Sequence, residues 1–399
     1  MSLSINSFSQ ESSDHNISLI FDTIVRYGPT SPVDIAKKTR VDIRIVTYCL
    51  DLLLAKNLIT EIRTQGEESL VAFRPKTGSI LAVDVGGTKM AGAVVNLKGD
   101  IEVEKRTPSY GGKEPIESLI DLLAELHSEA VARQLPPLGI GLGVPGVTDA
   151  QGQSVTLAPG LGWHDMNVGE RLWKVFSLPV WVDNDVNVFL LGEHLKGSMQ
   201  GVTNGMGITI GTGIGGSFLL NGEIYRGSNG AAGEVGYWTW STPNGKYSQQ
   251  TFGEFESFAS GTGIARRAKE LLLAEPQQGK ILRELVQDKL EDITAEDVFA
   301  AANLGDKSCA NIVEDTAEVL GIVLANLSTV LDVERIVIGG GVASGGEVLL
   351  EPIKQIIRQI TPYPPEIVQS RLGYRASIIG AAAGFMQRQG HTQQVADLA

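Results

Sequence analysis

Apolar positions near the start of the chain recur at helical spacing and then alternate. Ile17, Ile20, Phe21 and Ile24 fall on one face of a helix over Ile17–Arg26. Pro29 and Pro32 punctuate, and Ser31 before Pro32 reads as a cap that opens a short helix Pro32–Lys38. A third helix, Ile43–Lys56, carries Val46, Cys49, Leu50, Leu53 and Leu54 on one face. Two strands follow, Ile59–Arg63 and Leu70–Phe73, around Gln65–Gly66. Three short helices and a two-stranded wing form the winged helix-turn-helix pattern. It predicts a recognition helix starting at Asp42–Tyr48 that exposes Arg44, Thr47 and Tyr48 to a DNA major groove, with Lys37 and Arg40 placed for phosphates. A protein-interaction module of the same shape stays open.

Beyond the turn-forming Pro75–Gly78 the grammar changes. Ile80–Val95 is an apolar run, the tight turn Gly86-Gly87-Thr88, and a second apolar run. Met206–Leu220 repeats it around Gly211-Thr212-Gly213. Two such hairpins predict two similar, facing lobes. Glycine tips bring backbone N–H groups close to a polyphosphate. Thr88, Lys89 and Thr212 add hydroxyls and a cation, and Asp84 is a candidate holder of a hydrated magnesium ion. A third cluster, Gly339-Gly340-Gly341, ends an apolar strand and precedes a helix Val348–Ile360, a backbone on which a purine can lie. Each cluster also reads as an ordinary turn or helix-capping loop.

Gly141–Gly146 and Gly211–Gly216 both match G-x-G-x-x-G. That dinucleotide fingerprint requires a following helix. Turn residues follow the first and a strand-like run follows the second, which argues against a nicotinamide-dependent dehydrogenase.

Pro179–Val182 runs as a strand into Asp183-Asn184-Asp185. A carboxylate at such a strand end can take a proton from an attacking hydroxyl while the neighbouring amide holds adjacent hydroxyls. Glu234 and Glu256 lie in later loops and can accept from sugar hydroxyls. Helix caps are the competing reading of these acids.

Composition narrows the classes. Glycine supplies 47 of 399 residues, about 12% against roughly 7% on average. The net charge is −13, yet residues 1–78 hold nine basic and nine acidic groups, so the acidity belongs to the rest. That argues against nucleic acid as a partner of the whole molecule and leaves DNA to the first segment. With only Cys49 and Cys309, neither a disulfide framework nor a cysteine zinc site is expected. No secretory pattern precedes Ile17, and the uncharged stretch Gly197–Gly222 is too rich in Gly, Asn and Thr for a membrane span. A cytoplasmic protein without membrane partners is expected.

Together these residues resemble the ROK family of repressors and sugar kinases. Asp84–Lys89 resembles its first phosphate motif, Gly143–Gly146 its sugar-side loop, and Ala158–Trp163 its Ala-Pro-Asn-Leu segment. Asn184-Asp185 resembles the catalytic pair, Gly211–Gly216 the second phosphate motif, Gly233–Gly236 the signature, and Gly339–Gly341 the adenosine loop. The resemblance implies an α/β fold: an actin/hexokinase-like two-lobed module behind a winged helix-turn-helix domain. The domains expected are 1–78, a small lobe of 79–182 plus about 380–399, and a large lobe of 183–379.

It further implies ATP and Mg2+, a sugar substrate or ligand, Asp185 as general base, Asn184, Glu234 and Glu256 on the sugar, and a homodimer or higher homo-oligomer. The usual zinc ligands are replaced by Tyr237, Tyr247, Gln249 and Glu254, so no zinc is expected. Gly160 replaces a sugar-contacting Asn, and the wing Thr64–Ser69 lacks the basic run of many family repressors. Many of those repressors lost the first phosphate motif and kept zinc; here the reverse holds. The reading is a sugar-responsive regulator whose kinase chemistry is retained, with a dedicated sugar kinase carrying a vestigial first domain as the alternative.

Overall fold

The computed structural model describes residues 16–390 except 18, 22, 25, 26, 28, 56–58, 64–68, 74–77 and 240–252. The predicted turn Pro75–Gly78, most of the wing loop, and Tyr247 and Gln249 therefore lie largely outside the described residues. Two compact units are present: 1–183 with 381–399, and 184–380.

The first unit opens with the winged module. Helix Pro32–Thr39 starts at Ser31, whose Oγ accepts from the Asp34 N–H at 3.2 Å, with Pro32 in the first turn. It stops at Arg40, which takes a left-handed φ of 57°. Helix Ile43–Ala55 buries Val46, Cys49, Leu50 and Leu53. Strands β1 (Ile59–Arg63) and β2 (Ser69–Phe73) pair antiparallel. Thr30 adds a bridge to Val71 through two 3.0 Å hydrogen bonds. Ile20, Ile24 and Ile35 are fully buried.

The rest of this unit is a five-stranded sheet built from β3 (Ser79–Val85), β4 (Lys89–Asn96), β5 (Ile101–Pro108), β6 (Pro137–Val144) and β10 (Val180–Asn184), ordered β10-β6-β3-β4-β5. β3 is almost continuously buried, as a central strand covered on both faces should be. A small sheet of β7 (Val147–Thr148), β8 (Val155–Ala158) and β9 (Trp163–Met166) sits in the same unit.

The second unit holds β11 (Gly205–Ile210), β12 (Ile214–Leu220), β13 (Glu223–Ile224), β14 (Arg335–Gly339) and β15 (Glu366–Gln369), ordered β13-β12-β11-β14-β15. In each sheet the opening strand pairs antiparallel with the next and parallel with a later one. The two sheets thus share one strand order, and each glycine hairpin joins the first two strands of its sheet. β12 follows Gly211–Gly213 and β7 follows Gly146, so neither G-x-G-x-x-G opens a helix.

Helix Asp185–Lys196 crosses the start of helix Arg375–Gly390 with no room for side chains. A Cβ on Gly380 would lie 1.6 Å from the Val188 carbonyl oxygen, and one on Gly192 1.9 Å from that of Ala376. The fully buried Glu193 ties the far end together, accepting from Ser198 N–H at 2.6 Å, Ser370 Oγ at 2.5 Å and Leu372 N–H at 3.2 Å.

Burial pushes the Cys49 thiol up to about 11 and, with Asp306 beside it, the Cys309 thiol to about 12. At pH 8 both are thiols, and the thiolate is the nucleophile. A chromogenic thiol reagent is expected to label neither in the native protein and both in denaturant; rapid native labelling at pH 8 would contradict this burial.

Candidate functional site

The tip of the first hairpin is held from below. Gly86 N–H donates to Lys89 O at 3.0 Å, while Ser109 binds two tip carbonyls: its N–H donates to Thr88 O at 2.9 Å and its Oγ to Gly86 O at 2.6 Å. Among the described residues the N–H groups of Gly87 and Thr88 have no protein acceptor. The second tip repeats this arrangement. Gly211 N–H donates to Gly213 O at 2.9 Å; Gly211 O accepts from Gly261 N–H at 2.7 Å, and Thr212 O from Thr262 Oγ1 at 2.7 Å. The N–H groups of Thr212 and Gly213 are again without a protein acceptor among the described residues. Each hairpin therefore has two tip carbonyls held by a neighbouring segment and two amide donors left for an anion. Ser109 and Thr262 were not visible as site residues. Ser260 before Gly261-Thr262-Gly263 is an N-cap signal that could have located the second anchor.

Gly340, at φ 87°, packs against the end of β11, where a Cβ would stand 2.3 Å from Ile210 O. Gly339 pairs with Thr209. Gly339–Gly341, the second hairpin tip and the start of helix Gly261–Ala274 therefore meet at one end of the second sheet.

β10 runs directly into helix Asp185–Lys196. The polar tip is itself the helix start. Asn184 Oδ1 caps it, accepting from Val186 N–H at 2.9 Å and Asn187 N–H at 3.2 Å. Asp185 Oδ1 accepts from Val186 N–H at 2.9 Å. The capping interpretation of this pair is thus realised at Asn184. Val186 packs on Gly215 of β12, and Ser217 Oγ donates to Asn187 Oδ1 at 2.7 Å.

Glu256, on the short helix Glu254–Ala259, accepts from Ile214 N–H at 2.9 Å, directly behind the second hairpin tip. Burial raises its carboxyl above the ordinary range, opposed by that hydrogen bond. Burial also raises Glu234, and the charge of Glu256 adds to the shift. The second unit therefore brings Asn184, Asp185, Gly211–Gly213, Glu234, Glu256 and Gly339–Gly341 into one part of its fold. Asp84–Lys89 belongs to the first unit. Gly160 is there too: its carbonyl accepts from Tyr110 Oη at 3.0 Å, and a Cβ on Gly87 would lie 3.7 Å from that oxygen.

Asp84 sits half-buried at the end of β3 with Lys89 as its charged neighbour. Burial pushes its carboxyl up to about 7 from the ordinary 3.8, against the pull of Lys89. The folded chain therefore holds a proton here that the unfolded chain has lost. The associated stability is full below 3.8 and is lost as pH rises through about 7. In metal-free buffer Asp84→Asn is expected to flatten this decline and to be more stable than the parent at pH 8 by urea denaturation. Equal stability of the two at pH 8 counts against a strained Asp84.

On the winged module Lys37, Arg40, Arg44, Thr47 and Tyr48 are all exposed. Lys37 pairs with Asp34 at 3.8 Å, and Lys38 lies 4.0 Å over the Tyr27 ring. Thr47 Oγ1 donates to Ile43 O at 2.9 Å. Arg44 is joined to Asp42, which holds the carboxyl below its usual range and the guanidinium above.

A family model described as the ROK family matches residues 80–388. The chain belongs to the ROK family. Similarity to the xylose repressor of Caldicellulosiruptor bescii is 29% identity over 92% of this chain and 94% of that protein. Similarity to the glucokinase of Halalkalibacterium halodurans is 37% identity over 76% of this chain and 92% of that protein. Among solved structures, a ROK family transcriptional regulator homologous to E. coli MLC superposes with a TM-score of 0.84 at 24% identity, over 96% of this chain and 97% of that one. A ROK family glucokinase from Streptomyces griseus in complex with glucose and AMPPNP superposes with a TM-score of 0.67 at 30% identity, over 77% of this chain and 98% of that one. The fold is that of an actin/hexokinase-like ROK module preceded by a helix-turn-helix region. Among the described residues no helix is long and apolar enough to cross a membrane.

Proposed function

We propose that this chain is a sugar-responsive transcriptional regulator whose ROK module retains ATP-dependent phosphorylation of a hexose or amino-sugar. The observation that carries the regulator reading is coverage: the xylose repressor matches 92% of the chain and so includes the winged module, whereas the glucokinase matches 76%. A dedicated kinase would leave residues 1–78 without a role.

The retained chemistry rests on the two hairpins and the carboxylates. In this reading the N–H groups of Gly87, Thr88, Thr212 and Gly213, with the Lys89 ammonium, bind the phosphates of ATP, and Gly339–Gly341 borders the adenosine. Asn184, Glu234 and Glu256 hold sugar hydroxyls. Asp185 takes the proton of the attacking hydroxyl as its oxygen bonds to the γ-phosphorus and the bond to ADP breaks. Asp84 suits a hydrated magnesium ion: its carboxyl has no hydrogen-bond donor among the described residues, and a nearby cation would ionise it. Bound there, magnesium would neutralise charge on the phosphates. Sugar and ATP binding to the ROK module would in turn change operator affinity. The expected assembly is a homodimer or higher homo-oligomer, as paired operator half-sites favour.

Two assays test this reading on the full chain. ADP release across hexoses and N-acetylhexosamines should identify an accepted sugar. Anisotropy with DNA from upstream of the chain's own gene should show salt-dependent binding that shifts with that sugar. No affinity at low salt removes the regulator, and no ADP release with any sugar removes the kinase.

A further inference from the structure

Asp42 does two things at the start of the recognition helix. Its carbonyl accepts from Val46 N–H at 3.0 Å and its Oδ1 from Arg44 N–H at 2.9 Å, so it caps helix Ile43–Ala55. The same carboxylate grips the Arg44 side chain side-on: Nε donates to Oδ1 at 3.0 Å and Nη2 to Oδ2 at 3.2 Å. The Arg44 side chain is 88% exposed, and among the described residues the Asp42 carboxylate is the group that holds its direction.

A guanidinium has five N–H groups in a planar fork. The side-on grip uses Nε–H and one Nη2 hydrogen. Three remain, and the pair on the end-on edge, one from each terminal nitrogen, matches O6 and N7 of guanine in the major groove. An unrestrained arginine at a helix start would as readily meet phosphate, which carries no sequence information. Beside Asp42 that exchange costs the bidentate pair, and the carboxylate itself repels phosphate.

We propose that Asp42 is a specificity-determining positioning residue: it holds Arg44 side-on, presents the end-on edge of the guanidinium to a guanine, and withholds it from the DNA backbone. This inference rests on the proposed DNA-binding role. It also accounts for a net-neutral module serving as a reader: with Lys37, Lys38 and Arg44 each already engaged, affinity for random sequence is kept low and discrimination is preserved.

The test uses the full-length protein and a randomised duplex pool, with selection followed by anisotropy on the recovered sites and on an unrelated duplex. Asp42→Asn is the informative variant, because Asn caps a helix as well as Asp and the fold is kept. The wild type should recover sites with an invariant guanine in each half. Asp42→Asn should lose roughly tenfold in discrimination at that guanine, as expected for one bidentate pair. It should also gain affinity for the unrelated duplex, with a salt slope steeper by about one, the signature of one added phosphate contact. Arg44→Lys should lose the same guanine preference. A cap with no readout role would leave both the motif and the salt slope unmoved, and that result overturns the inference while leaving the DNA-binding role intact. If the wild type enriches no sequence, the DNA-binding role falls, and this inference with it.

Discussion

Asp185→Asn is expected to reduce sugar-dependent ADP release by about 10³-fold, within the range typical for loss of a general base. The substitution is isosteric, and the Oδ1 that accepts from Val186 N–H at 2.9 Å remains as an amide oxygen. The start of helix Asp185–Lys196 and the cap from Asn184 are therefore retained. What disappears is the basic carboxylate: its second oxygen becomes an NH2 that cannot take the proton. The loss should fall on kcat with KM for the sugar little changed, because an amide still hydrogen-bonds the ground-state hydroxyl. DNA affinity in the absence of sugar should be unaltered. A variant retaining more than a tenth of parental turnover would remove Asp185 from the role of base.

Gly380→Ala is expected to be the most destabilising single methyl group that can be added to the second unit. Its Cβ would meet the Val188 carbonyl oxygen at 1.6 Å, the Val188 carbonyl carbon at 2.6 Å and the Gly192 nitrogen at 2.7 Å. All three are backbone atoms of one helix, so no rotamer change relieves the clash and the two helices must part. A loss of about 3 kcal/mol or more is expected from the urea midpoint. Gly160→Ala is the matched control: nothing lies within 4 Å of its added carbon, and its stability should stay within about 0.5 kcal/mol of the parent. Equal midpoints for the two variants would mean that the helices do not cross at Gly380.

The elements were largely legible because their signals are local. Ser31-Pro32 marks a helix start in a few residues, and the hairpin around Gly86-Gly87 announces itself by apolar runs on either side. The start of helix Asp185–Lys196 was harder, since Asp183-Asn184-Asp185 reads equally as a catalytic strand end and as a helix cap until the capping bonds of Asn184 are seen. Ser109 was illegible as an anchor, whereas Thr262 follows the N-cap signal at Ser260. Nothing around Ser109 indicates that it will meet a turn more than twenty residues earlier, because that encounter is made by the pairing of β4 with β5. Asp42 is a related case: the residue type and its place before a helix are visible, but its bidentate hold on Arg44 depends on a side-chain direction that no spacing rule specifies.

By itself the sequence determined family membership, the pair of glycine hairpins, the helix-turn-helix order and the identity of the acids and cations offered for chemistry. These follow from residue type and short-range spacing, where backbone preference and side-chain inventory act within a few bonds. Tertiary structure alone decided which carbonyls of each tip are tied down and so which amides stay available. It also decided that Glu256 stands behind the second tip, that Asp84 is dry enough to hold its proton near neutrality, and that Gly380 leaves two backbones in contact. Each of these depends on desolvation or close approach between segments distant in the chain, and no local pattern encodes a distance.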